Sequence, residues 1–157
     1  MTPVFEPKPI LIAGRHVRLE PLERRHLPAL VAAAQDPEIF QYFIPPPLGN
    51  LAAMTNWLES ILKGQAAGTE VGWGLHPDAQ GKGYGVEAAT ATIDYAFDVL
   101  GWTDVIHTID PDNTPSQRLA ERIGSRNLGP ARLPPPFDQL IVEAWGQSRE
   151  EWRARTR

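Results

Sequence analysis

Apolar and polar positions alternate along His16-Val17-Arg18-Leu19-Glu20, the period of a half-buried strand, and Pro21 ends it. Glu23 to Ala34 is rich in Leu, Ala, Arg and Glu and predicts a helix. Asp36-Pro37-Glu38 opens a further helical turn, with Asp as N-cap and Pro at the first position. Pro45-Pro46-Pro47 is an extended spacer. Asn50 then caps a helix to about Lys63, with Met54, Trp57, Leu58, Ile61 and Leu62 on one face. Gly64 to Gly68 reads as a flexible exit. Thr69 to Leu75 alternates as a strand, and His76 to Gly83 is a loop. Tyr84 to Leu100 is a helix, with Val86, Ala89, Ile93, Ala96 and Phe97 on one face and Gly101 as its terminator. Asp104 to Ile109 is a β-branched strand, 110–115 a turn, and Ser116 to Ile123 a short helix closed by Gly124. Two more strands are expected around Arg126–Arg132 and Gln139–Trp145, and Ser148 starts a last helix through Arg155.

A strand, loop, helix and strand in such short succession imply adjacent parallel strands joined right-handedly. The expected class is therefore mixed α/β (α+β), one sheet flanked by helices. At 157 residues the chain suits a single domain, with a loose N-terminal arm over 1–13 and a C-terminal tail over 146–157. It has no cysteine, which removes disulfides, thiolate catalysis and Cys-ligated metals. No stretch approaches 18 consecutive apolar residues, so no membrane span is expected. Met1-Thr2-Pro3-Val4-Phe5 lacks a basic start followed by an apolar run, so no signal peptide is expected, and the cytoplasm is the expected compartment. A net charge of −4 argues against general nucleic-acid binding. The four histidines show no metal-ligand spacing, and no G-x-S-x-G occurs.

Candidate chemistry sits at Gln80-Gly81-Lys82-Gly83-Tyr84-Gly85, between a strand and the first turn of a helix. Such a turn leaves backbone N–H groups unpartnered at the positive end of the helix dipole. Glycines let the backbone approach a ligand, and together these make an anion cradle. Walker A needs Ser or Thr after Gly-Lys, and Gly83 stands there; G-x-G-x-x-G needs glycine at 86, and Val86 stands there.

Q-x-x-G-x-G in this setting resembles the acyl-CoA pyrophosphate loop of the GNAT superfamily of N-acyltransferases, over Leu75 to Gly85. Asn113-Thr114-Pro115-Ser116 resembles the superfamily's Asn-x-x-Ser, and Leu119 to Gly124 the helix after it. His16 to Leu22 followed by a helix is similar to the ribosomal-protein N-terminal acetyltransferase subgroup. The resemblance implies acetyl transfer from acetyl-CoA to an amine by direct attack, without a metal. Backbone N–H groups of Gly81, Lys82, Gly83, Tyr84 and Gly85 would hold the pyrophosphate, with Leu75 and Gln80 beside the loop. Asn113 would contact the pantetheine arm or serve as a turn asparagine; Ser116 would be the general acid, a contact to the sulfur, or a helix cap. Glu70 would be the base or a solvated strand-end carboxylate, and His107 is a second relay candidate or the outer face of a strand.

The chain departs from the superfamily in three places. A hairpin normally precedes the strand at 70–75, and two strands with connections need roughly 15–25 residues. The chain gives it no room, so a row of unpaired backbone groups is expected there, open to a partner chain and hence to a homodimer. Ala120 stands where many relatives carry a tyrosine acid, and Ser125 where an aromatic is common. A non-catalytic CoA-binding or self-associating relative is the alternative reading.

Overall fold

The computed structural model describes residues 10–36, 40–42, 49–67, 82–135 and 137–155. They fall in two compact units, Met1–Tyr84 and Gly85–Arg157. Among the described residues there are two sheets and five α-helices, which meets the expected mixed α/β class.

In the first unit, strands β1 (Ile12–Ala13) and β2 (Arg18–Leu19) pair antiparallel, Ile12 opposite Leu19. The Gly14 N–H donates to the Val17 carbonyl at 2.8 Å and closes the turn between them. The strand expected over 16–20 is thus two residues long, and its partner comes from the segment expected to be loose. A tight turn on one side and Pro21 on the other leave no room for a longer ladder. A 3-10 turn (Arg24–His26) leads into α1 (Leu27–Ala33), and α2 spans Leu51–Ala67. Asn50 caps α2 as expected, its Oδ1 accepting the Ala53 N–H at 2.8 Å. The helix runs past Lys63 through Gly64, where an exit was expected. Glycine inside a helix costs about 1 kcal/mol relative to alanine. Gln65 offsets this by donating its Nε2–H to the Leu22 carbonyl at 3.1 Å, which ties the last turn down. Ala34 and Met54 form the buried centre of the unit, with Leu30, Val31, Phe40 and Trp57 packed around them. Arg24 holds Glu59 of α2 through two hydrogen bonds, at 2.6 and 2.8 Å.

Between α1 and the end of α2 the described residues contain no strand. The strand expected over 69–75 lies outside the described residues, and with it the parallel pairing expected with 104–109; the Asp36-Pro37-Glu38 turn lies partly outside them.

In the second unit, α3 (Tyr84–Asp94) continues as one wider π-helical turn (Tyr95–Val99), and Gly101 follows it. Then come β3 (Asp104–Ile109), α4 (Thr114–Arg122), β4 (Arg126–Ala131), β5 (Val142–Ser148) and α5 (Arg149–Arg155). The sheet order is β3-β5-β4, antiparallel throughout. Val105, His107 and Ile109 alternate inward on β3, and Asp104, Ile106 and Thr108 outward. Val105 packs with Ile93, Ala96 and Phe97 of the α3 segment, Ile123 and Trp152.

The last strand lies three residues later than the expected 139–145. As the central strand, β5 must pair on both sides, from Ala131↔Val142 to Asp104↔Ser148. Residues 146–148, expected in a tail, complete that ladder. Ser148 and Glu151 then form a reciprocal cap: the Ser148 N–H donates to Glu151 Oε2 at 2.8 Å and the Glu151 N–H to Ser148 Oγ at 3.2 Å. Trp152 is buried, and its Nε1–H donates to Asp94 Oδ1 at 2.7 Å, fastening α5 to α3.

Gly146 is where β5 admits no side chain. A Cβ there would meet the Val105 carbonyl oxygen at 2.7 Å, Ile106 Cγ2 at 3.0 Å and Leu128 Cδ1 at 3.2 Å. Gly146→Val is expected to lower stability by about 2 kcal/mol or more, read from urea unfolding, because the obstacle is backbone of the neighbouring strand. An unchanged midpoint would show that the strands part freely there.

Candidate active site

α3 begins abruptly after an exposed turn. Lys82 and Gly83 make that turn, and Gly83 takes φ +81°. A side chain in this left-handed region costs about 1–2 kcal/mol. Nothing lies within 4 Å of where its Cβ would stand, so the requirement is conformational and the space beyond is open. The first amides of α3 lack partners within the helix and sit at its positive end. Gly85, one residue into the helix, would bring a Cβ to 3.9 Å of Leu119 Cδ2 on α4, an ordinary contact. The result is an accessible, electropositive backbone surface, suited to an anion.

Of the residues expected in the site, Lys82, Gly83, Tyr84 and Gly85 make this turn and helix start. Asn113 and Ser116 stand together at the start of α4. Glu70, Leu75, Gln80 and Gly81 lie outside the described residues.

The start of α4 is two residues earlier than expected, at Thr114, which settles how Asn113 and Ser116 divide their work. Asn113 is the N-cap: its Oδ1 accepts the Ser116 N–H at 3.1 Å. Ser116 is therefore the third helical residue rather than the cap, half-buried, its hydroxyl uncommitted among the described residues. The turn before it is held by the Asp112 N–H to Asp110 Oδ1 at 2.8 Å and by Gln117 Nε2–H to the Pro111 carbonyl at 2.7 Å. One turn on, Ala120 is 2% exposed and packs with Ile109 and Trp145. That position offers an apolar wall and no acid.

His107 does not face outward. Its ring lies half-buried with Nε2 2.6 Å from Ser125 Oγ, which also accepts the Gln147 Nε2–H at 3.1 Å. This polar bridge joins β3, the turn after α4 and β5. Sequence separations of 18 and 22 residues hid it. The alternation that places His107 beside Val105 and Ile109 was the available signal. Among the described residues no three His, Asp or Glu side chains gather as a metal site, and no helix is long and apolar enough to cross a membrane.

Burial holds the His107 imidazole below its ordinary value near 6.5. The folded protein thus binds this proton less readily than the unfolded chain. Its contribution is intact above about pH 6.5 and declines as pH drops through that value toward the lower folded one. The shifted carboxylates act in a more acidic window. Glu20 is held low by the hydrogen bond from Arg25, Glu59 by that from Arg24, and Glu151 by the Ser148 amide. Their contributions are present above about pH 4.5 and fade below it. The urea midpoint should therefore fall between pH 6.5 and 5, and His107→Gln should flatten that slope. An equal slope in the variant would place its origin elsewhere.

A family model described as an acetyltransferase (GNAT) domain matches residues 62–126, a stretch that includes Lys82–Gly85, Asn113 and Ser116. An uncharacterised N-acetyltransferase of Bacillus subtilis (strain 168), YnaD, is 42% identical over 60 residues. That stretch covers 38% of this chain, and it spans only 35% of the length of this curated relative. A GCN5-related N-acetyltransferase from Brucella melitensis is similar in structure, with a TM-score of 0.78 and 25% identity over 95% of this chain and 83% of that one. Mycobacterium smegmatis RimJ in complex with CoA-disulfide gives a TM-score of 0.73 at 14% identity, over 91% of this chain and 89% of that one, a likeness of fold alone.

Proposed function

The chain belongs to the GNAT superfamily of N-acetyltransferases, and from that premise we propose that it transfers an acetyl group from acetyl-CoA to a primary amine. The observation that carries this reading is the turn before α3: a positive-φ glycine with open space beyond it, at a helix start whose first amides have no partner within the helix, inside the stretch matched by the family model. Residues 1–157 are read as one acetyltransferase domain. The CoA-disulfide complex of RimJ supports the class of donor.

In this reading the amides of Gly81 to Gly85 hold the pyrophosphate, with the Lys82 ammonium adding charge, and Leu75 and Gln80 flank the loop. The amine nitrogen attacks the thioester carbonyl carbon, and the carbon–sulfur bond breaks. The amine loses a proton to Glu70 or water, and the departing thiolate gains one. Ser116 is the nearest hydroxyl for that second proton, since Ala120 has none. Asn113 spends its carbonyl on the helix cap, which leaves its amide N–H groups for the pantetheine arm. The products are an N-acetyl amide and free CoA thiol. The acceptor is read as a protein N-terminus or a small amine, and the compartment as the cytoplasm.

Ala120, and the little room the sequence leaves for a hairpin before residue 70, favour a second reading, a CoA-binding or self-associating relative without turnover. Free-thiol release on offering a panel of amines and N-terminal peptides separates the two. Gly83→Asp should weaken acetyl-CoA binding at least about 100-fold, because a carboxylate then stands where the pyrophosphate would lie. It should cost only about 1–2 kcal/mol of stability. Undiminished affinity in a folded Gly83→Asp protein would sink the cradle.

A further inference from the structure

One face of the sheet in the second unit packs against α3, α4 and α5, and its other face is open. On the open face Ile106 of β3 is 67% exposed and Leu128 of β4 is 53% exposed. Gly146 of the central strand lies between them. It pairs with Ile106, and a Cβ there would stand 3.0 Å from Ile106 Cγ2 and 3.2 Å from Leu128 Cδ1. Two large side chains thus converge over a residue that has none. The pair Thr108 and Ala144 continues the face along the strands. Exposed hydrophobes scattered singly are ordinary, whereas neighbours joined across three strands mark a contact surface.

The rim of this face carries both signs of charge. Asp104 stands on the β3 side, level with Ser148, and Arg126 on the β4 side, level with Gly146. Glu150 joins Asp104 at a hollow of about 340 Å³ beside Ile106 and Leu128. Arg126 is held by Glu151 at 2.5 Å, while Asp104 and Glu150 have no cationic partner among the described residues.

We propose that this face is a self-association surface whose occupant is a second copy of the chain. A two-fold axis along β5, in the plane of contact, lays β3 of each copy over β4 of the other. Ile106 then meets Leu128 of the second copy, and Asp104 approaches Arg126 of the second copy, each contact occurring twice. Such self-complementarity is what a two-fold contact requires. Asp104 lies about 7 Å along the strands from the level of Arg126, within reach of a guanidinium side chain. An axis across the strands would instead set Arg126 against its own copy, a like-charge contact. Packed sheets stand about 10 Å apart, a space that isoleucine and leucine side chains fill. Three strands make a small interface, so the dimer is a weak one, with a dissociation constant of about 10–100 µM. None of these residues is assigned to acetyl-CoA, and the contact stands apart from the acetyl-transfer reading.

Sedimentation velocity of the full chain from about 5 to 500 µM tests the contact. A monomer–dimer equilibrium is expected. Ile106→Lys should weaken it at least about 30-fold, since the change falls in both halves of the contact. Because Ile106 is exposed, the circular dichroism and urea midpoint of that variant should be unchanged. Asp104→Arg and Arg126→Asp should each weaken the dimer about tenfold by setting like charges together. An equimolar mixture of these two proteins should dimerise again, because each then presents the opposite charge to the other at both contacts. If Arg126→Asp, which also loses Glu151, fails to fold, Ile106→Lys and Asp104→Arg carry the test. A chain that stays monomeric throughout overturns the proposal, and an Ile106 methyl resonance that then moves on adding tetralysine makes the occupant a basic segment instead. A dimer unaffected by Ile106→Lys, or a mixture that associates no better than its components, also overturns it and places self-association elsewhere on the chain.

Discussion

The amides that begin α3 have no partners within their own helix, and the functional reading rests on what satisfies them. A helix start of this kind needs a chain that arrives in a conformation L side chains avoid, and Gly83 supplies it at φ +81°. It also needs a helix that does not shift when an anion arrives. The far end of α3 meets that need: Ile93, Ala96 and Phe97 sit in the core with Val105 and Trp152, and Asp94 is tied to the Trp152 indole. One end of the helix is anchored and the other is presented to solvent.

The start of α4 is built by a different device. There the first amides are satisfied locally, the Thr114 N–H by the Asp112 carbonyl and the Ser116 N–H by Asn113 Oδ1. An anion would gain less at that end, and polar side chains matter more. Ser116 is held in the first turn with its backbone already spoken for, and Ala120 fills the wall against Ile109 and Trp145. On the acetyl-transfer reading, acid chemistry at this helix would fall to the Ser116 hydroxyl or to water. The Ser125 bridge between His107 and Gln147 puts hydrogen bonds where apolar packing would otherwise join β3 and β5.

Elements with strong local signals were legible in the chain. Asn50 and its helical stripe marked the start of α2, and the β-branched run from Asp104 to Ile109 is the strand β3. Misjudged boundaries are those that tertiary contacts decide. Gly64 ends no helix because Gln65 is held by the Leu22 carbonyl, and β5 starts at Val142 because it must serve two neighbours. For the site, the glycine spacing pointed to the turn before α3 and to the GNAT family. The cap of α4 was expected at Ser116, and the hydrogen bond from the Ser116 N–H puts it at Asn113 instead. The Ser125 bridge was not readable, since its members are far apart along the chain and meet only through the sheet.

A calorimetric titration of the purified chain with acetyl-CoA is the most direct measurement. Micromolar one-to-one binding is the predicted result, since a pre-formed helix start needs little ordering to receive a pyrophosphate. No heat and no saturation up to millimolar acetyl-CoA, on folded protein, would contradict an acyl-CoA cradle at the start of α3.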